Sequence, residues 1–298
     1  MSMAPAPKSE SANEGVDILP RICVRKPYFA LRNLRLNSSG SASCDIPVEQ
    51  PVGSEVSPIS LSESGRHMAI LGLCAAASSA PDDERRYYLA RRAKITWLHP
   101  TPSEAGGRLT GSVLSEFTSK RKAAAEGTLF ADGVPLAGFE LGYDVLTVPA
   151  FERMFSHAHR PDALTTTARN PYRRPLEMTD VSTSTTSVTT LVKPTVPDCV
   201  GHFPGYPTLP VAVLGGVMTE TASRLIEIVT DSPGVRWIPM KTDLQAHKLV
   251  KAGIPVTAEA RLIRLNQADL RIAVVAATED GEIATVSLDI AVESAATP

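Results

Sequence analysis

Cysteine is scarce in this sequence, with four residues among 298: Cys23, Cys44, Cys74 and Cys199. None are spaced C-x-x-C, and none has a histidine at zinc-finger distance, so reduced thiols in a cytoplasmic protein are the expectation. An excess of charge is missing too. Thirty Lys and Arg stand against 32 Asp and Glu, a net charge of −2, which argues against a nucleic-acid binder held by a basic face. No apolar run approaches the roughly 18 residues of a membrane span. The most apolar stretch, residues 68–80, is too short and too far inside the chain for a signal peptide. There is no G-x-G-x-x-G, no Walker loop and no G-x-S-x-G, which leaves nucleotide-fold and serine-hydrolase readings without support. What is present is 43% hydrophobic and 21% charged, enough for a sizeable core in two domains or one large one.

Residues 1–15 are small, polar and proline-containing, and read as a disordered tail. Weak alternation over residues 28–36 and 39–48 suggests short strands. Residues 63–77 read as a buried helix, with Ser62 or Ser64 as N-cap and Ile70, Leu71, Leu73 and Cys74 ahead of an alanine run. Strand patterns follow at 87–98, 109–118, 123–130 and 137–146, the last two joined by an Asp132-Gly133 hairpin signal. Residues 149–178, rich in Arg, Pro, His and Thr, form a connector. The β-branched run at 181–191 reads as a polar-faced strand, with a low-complexity linker as the alternative. A second helix covers 210–229, and strands recur at 235–244, 254–264, 270–278 and 283–292, with Asp280-Gly281 before the last.

Strand, buried helix, then four strands thus occurs twice. Aligning Gly65 with Val211 gives an offset of 146, and aligning Asp132 with Asp280 gives 148, so the chain reads as a duplication. Each half carries too few helices for a doubly wound sheet, and an α+β fold with an antiparallel sheet curled round one helix fits better.

The sharpest local feature precedes the second helix: Gly201-His202-Phe203-Pro204-Gly205-Tyr206-Pro207-Thr208-Leu209-Pro210. Three prolines and two glycines rigidify a loop that presents His202 beside a helix start, where free N–H groups can polarise a carbonyl. This His-Phe-Pro-Gly-x-Pro-x-x-Pro segment resembles the active-site loop of the hotdog-fold (3R)-hydroxyacyl-ACP dehydratases of fatty acid synthesis. The resemblance implies a double hotdog in one chain: two antiparallel sheets, each wrapped round a central helix, pairing as a pseudo-dimer. Its units would be residues 16–148 and 179–298, with 149–178 between them. It also implies dehydration of a 3-hydroxyacyl thioester on acyl carrier protein or coenzyme A, in fatty acid or polyketide-type biosynthesis. His202 would be the base and an N–H near Gly205 or at the second helix start the oxyanion donor, with Phe203, Tyr206 and Pro210 lining the substrate. It implies no cofactor, because the thioester itself acidifies the α-carbon, and it is compatible with two such chains associating.

The chain departs from that pattern. Val211 stands where the family has glycine, and the helix acid, normally 14 residues after the histidine, falls at Gly216. Glu220 lies one turn further on as a displaced substitute. In the first half the histidine position is Val56 and the acid slot Ile70, so one composite site is expected. Glu63 and His67, spaced to share a face with Ile70, could supply its carboxylate or acid. The segment Glu63-Ser-Gly-Arg-His67 also resembles, faintly, the helix start of hotdog acyl-CoA thioesterases, which makes hydrolysis of an acyl-CoA or acyl-ACP thioester the alternative. A non-catalytic acyl-binding partner is the third reading, because both acid slots are empty. His157-Ala-His159 lacks a third metal ligand, so no metal is expected. His99 and His247 read as incidental. The pairs Arg85-Arg86, Arg91-Arg92 and Arg173-Arg174 read as solvated faces, with docking of a carrier protein or coenzyme A phosphates as the alternative.

Overall fold

The computed structural model describes residues 17–98, 107–163, 169–266 and 269–293; the expected tail and His99 lie outside them. In the first half, strands β1 (Arg32–Leu36) and β2 (Ser41–Asp45) precede helix α1 (Leu61–Ser78). Four strands follow: β3 (Arg86–Trp97), β4 (Leu109–Ser119), β5 (Lys122–Ala131) and β6 (Val134–Thr147). A short helix, α2 (Val148–Met154), opens the connector. The second half repeats the scheme with β7 (Thr179–Thr183), β8 (Ser187–Val192), a two-residue β9 (Thr208–Leu209) and helix α3 (Val211–Val229). After it come β10 (Trp237–Ala246), a two-residue β11 (Val250–Lys251), β12 (Val256–Asn266), β13 (Asp269–Thr278) and β14 (Gly281–Val292).

The strands follow from period-two patterning. In β13, Leu270, Ile272, Val274 and Ala276 are buried while the residues between them are not. In the β5–β6 turn Asp132 and Gly133 both have positive φ, 50° and 80°, the twist that a two-residue hairpin requires.

Twelve strands form one antiparallel sheet, in the order β1-β2-β4-β5-β6-β3-β10-β14-β13-β12-β8-β7. Read inward from each end, the two halves have the same strand order and meet where β3 pairs with β10, Thr242 opposite Ile95 and Leu244 opposite Ala93. Arg92 bridges this seam to Asp243 at 3.0 Å, and Arg91 reaches Asp144 at 2.7 Å, so this arginine pair serves the sheet. The sheet is therefore continuous, where the sequence pattern suggested two.

Helices α1 and α3 pack on the same face of the sheet and against each other. Helix α1 is buried nearly all round, as its small apolar composition requires. The fit is close at Gly72, where a Cβ would lie 2.4 Å from the Tyr143 hydroxyl, itself donating to the Ala69 carbonyl at 2.9 Å.

Two local expectations are corrected. Helix α1 begins two residues earlier than its sequence pattern suggests, capped by the Ser60 hydroxyl accepting from Glu63 N–H. The helix starts Leu61 and Val211 then lie 150 positions apart, which makes Arg66 the counterpart of Gly216. The 181–191 run is a hairpin, β7–β8, because the Ser184 hydroxyl accepts from the N–H groups of Thr186 and Ser187 and turns the chain.

Candidate active site

The loop that carries His202 is held from both ends of the chain. Gly201 has φ +85°, and a Cβ there would sit 2.5 Å from the Arg25 carbonyl oxygen; Arg25 N–H donates to the Gly201 carbonyl at 2.7 Å. On the other side β9 pairs with β11. His202 is 7% exposed, stacked on Phe203 at 3.9 Å and met edge-on by Tyr28 at 5.1 Å. Its Nδ1 lies 3.1 Å from the Thr208 carbonyl oxygen. A carbonyl only accepts, so Nδ1 carries the proton and Nε2 the lone pair. Burial pulls the His202 pKa down to about 4, against the smaller opposing effect of that hydrogen bond. The ring is neutral at ordinary pH.

His202 and Phe203 line a cavity of about 80 Å³ enclosed by α1, α3, β3 and β10. Its helix walls mix small residues, Gly65 and Ala69 on α1 and Ala212 and Gly215 on α3, with larger apolar ones such as Leu61, Ile70 and Leu73. At about 30 Å³ per water, it has room for two or three water-sized groups. Three residues with aliphatic hydroxyls that the sequence reading missed, Ser62, Thr219 and Thr242, also line it, beside Tyr28, Tyr88 and Tyr143. The Thr242 hydroxyl is buried without a hydrogen-bond partner. Nothing in the sequence separates it from the other strand threonines.

The two helix starts differ. At α1 the Ser60 hydroxyl takes Glu63 N–H and the Glu55 carboxylate takes Leu61 N–H at 2.6 Å. At α3 the N-cap is Pro210, without a side-chain cap. Its first N–H groups have no intrahelical partner, and Val211 and Ala212 line the His202 cavity.

The other expected catalytic residues lie elsewhere. The Glu63 carboxylate accepts from the backbone N–H groups of Glu49, at 2.7 Å, and Gln50, at 3.3 Å, and lies 3.5 Å from Arg66 and from His67. His67 is fully buried, its Nε2 3.2 Å from the Arg66 guanidinium and its Nδ1 without a partner. Burial lowers its pKa. Glu220, half-exposed, sits 3.8 Å from Arg224. Glu63 and Glu220 line a second cavity of about 40 Å³ with Arg66 and Gly216. The edge contact of Tyr28 with Tyr172, at 5.1 Å, and Arg66 over the Tyr172 ring link this cluster to His202. No carboxylate lines the His202 cavity among the described residues.

Glu49, Glu63 and His67 bring donor atoms within 4.8 Å of one another, a spacing that could suit a metal ion. The Arg66 guanidinium is already paired with both glutamates and supplies the positive charge there. Of the expected substrate contacts, Phe203 lines the cavity. Tyr206 packs instead on Phe151 and His159. Gly205, with φ +81°, offers its carbonyl to Arg160 N–H, and Pro210 begins α3.

No protein-family model matches the chain, and no curated protein matches it in sequence. Solved structures do. The tesB protein of Mycobacterium avium subs paratuberculosis superposes with a TM-score of 0.58 at 12% identity, covering 85% of this chain and 92% of that one. A conserved protein with the hot dog fold from Alicyclobacillus acidocaldarius gives 0.52 at 10%, covering 86% and 94%. The chain has the hotdog fold. The 12:0-ACP thioesterase of Umbellularia californica gives 0.56 at 11%, covering 86% and 95% of the two hotdog chains. Thioesterase names recur among these hotdog neighbours, and they overturn the dehydration and lyase reading of the His202 loop. The geometry agrees, since no carboxylate lines the cavity among the described residues. No helix among the described residues is long and apolar enough to cross a membrane.

Proposed function

We propose that the chain is a double hotdog, two units paired across β3 and β10, that hydrolyses an acyl thioester carried on acyl carrier protein or coenzyme A. One observation carries the reading. A neutral histidine with a free lone pair, an uncapped helix start and a threonine with an unpartnered hydroxyl share one cavity that no carboxylate lines among the described residues.

In the proposed reaction water attacks the thioester carbon while His202 Nε2 takes its proton. The oxygen–carbon bond forms and the carbonyl oxygen becomes an oxyanion, held by the first N–H groups of α3. When that intermediate collapses the carbon–sulfur bond breaks, and the proton passes from His202 to the thiolate. Acid and free thiol result. A thiol holds a proton far more tightly than a histidine of pKa about 4, so the imidazolium returns its proton rapidly. The Thr242 hydroxyl orients the attacking water.

The test is thiol release from acyl-CoA and acyl-ACP substrates of graded length. The small cavity favours short acyl groups. His202→Ala is expected to lower turnover by about 10²–10⁴-fold, the usual contribution of a general base, with unchanged circular dichroism. Binding of every acyl thioester without release of thiol would overturn hydrolysis and favour a non-catalytic acyl carrier.

A further inference from the structure

A second concavity lies outside this chamber. It measures about 560 Å³ and is built from the start of β3 (Arg86), the β4–β5 turn (Lys120 and Arg121), the end of β6 and helix α2 (Arg153 and Met154). Four cations line it, and no aspartate or glutamate does among the described residues. Arg86 is already paired with Asp82 at 2.7 Å and with Glu84. Lys120, Arg121 and Arg153 have exposed side chains, and none enters an ion pair or side-chain hydrogen bond among the described residues. Val145, Leu146 and Met154 give the cleft an apolar floor.

Helix α2 joins this cleft to the chamber. Its Phe151 stacks on Tyr87 at 3.6 Å and meets Phe203 at 5.3 Å, and Phe203 stacks on His202. Helix α2 therefore lines the cleft with Arg153 and Met154 and meets, through Phe151, the aromatic ring that lines the chamber. Three unpaired cations around a concave apolar floor suit a flat ring that carries phosphates. An acidic protein would need a broad face of about 800 Å², whereas a volume of about 560 Å³ falls within the usual small-molecule range of roughly 300–1,000 Å³.

We infer that the cleft of Lys120, Arg121 and Arg153 binds the phosphorylated nucleotide end of a coenzyme A thioester, an assignment that rests on the hydrolytic reading and narrows its carrier. The probe is adenosine 3′,5′-bisphosphate, titrated calorimetrically into the full-length protein. Binding that weakens at least tenfold in Arg121→Glu/Arg153→Glu, and that falls with added salt, supports the site. In turnover, the double variant should raise KM for acyl-CoA at least tenfold more than KM for the matching acyl-pantetheine, which lacks the nucleotide. Equal effects on both substrates, or no nucleotide binding by the wild type, would overturn the proposal. Nucleotide binding without hydrolysis of any thioester would sustain the cleft and defeat the hydrolytic reading instead. Turnover of acyl-ACP that depends on these arginines, with no nucleotide bound, would assign the cleft to a carrier protein and overturn the inference.

Discussion

Glu55 offers a test of the helix-start chemistry that is independent of catalysis. It is 8% exposed and accepts from Leu61 N–H at 2.6 Å. Burial raises its pKa to about 8 from the ordinary 4.5; the Leu61 hydrogen bond opposes the shift and the Glu220 carboxylate adds to it. The folded state thus favours the protonated carboxyl. Below pH about 4.5 both folded and unfolded chains hold the proton and nothing is lost. As pH rises towards 8 the unfolded chain gives up its proton and the folded chain does not, so stability declines by about 1.4 kcal/mol per pH unit. The full loss, beyond pH 8, is roughly 5 kcal/mol. Glu55→Gln keeps the acceptor for Leu61 N–H and removes the titration. Urea unfolding of both proteins should give equal free energies near pH 4.5, with the variant ahead by about 3 kcal/mol at pH 6.5 and by more at pH 8.5. The downward pKa shifts of His202 and His67 act oppositely, reducing stability as pH falls below 6.5, but they are common to both proteins and cancel in the difference. A difference that stays constant with pH would refute the reasoning.

Thr242→Val keeps the side-chain shape and removes a buried hydroxyl that has no partner; the melting temperature should hold or rise while thiol release falls, as a paired stability and activity assay will report. Arg66→Met leaves the carboxylates of Glu49 and Glu63 without their cation, a buried break that should cost about 3–5 kcal/mol in chemical denaturation. Gly72→Ala drives a methyl group into the Tyr143 hydroxyl; a loss of about 1–3 kcal/mol is expected, with partial recovery when Tyr143→Phe is added. Thiol release should be flat above pH 5 and fall as pH drops through about 4, because there His202 loses its lone pair; a midpoint near 6.5 would show that the ring is not desolvated.

Much of the architecture could be read directly from residue patterns. Strands β3 to β6 and β10 to β14, apart from the two-residue β11, carry alternation strong enough to fall within a few residues of their observed bounds, and the Asp-Gly turns marked the hairpins between them. The Ser/Thr run of β7 and β8 misled because it has no glycine, proline or asparagine at its turn; a serine hydroxyl performs that service at residue 184. The two residues missed at the start of α1 have a similar cause, since Pro58 and three serines in 57–62 leave several caps open.

The site was legible only in part. His202 announced itself through its rigid loop. Glu63 and His67 do share a helix face, as their spacing says, but spacing does not tell which neighbour that face meets. The crossing of α1 and α3 decides it, turning Gly65 and Ala69 towards His202 and Glu63 towards Gly216. Thr242 left no mark at all, because a hydroxyl becomes notable only when its surroundings withhold a partner.

The grip of Arg25 on Gly201 has a consequence for the order of assembly. The ribosome releases residue 25 long before residue 201, so Tyr28 emerges without the ring it will finally cover. The His202 cavity closes only as that early segment docks on a late loop, a contact of very long sequence separation that slows folding. Refolding followed at Tyr28 should therefore lag behind formation of the first half's sheet, and activity should return with the slower phase.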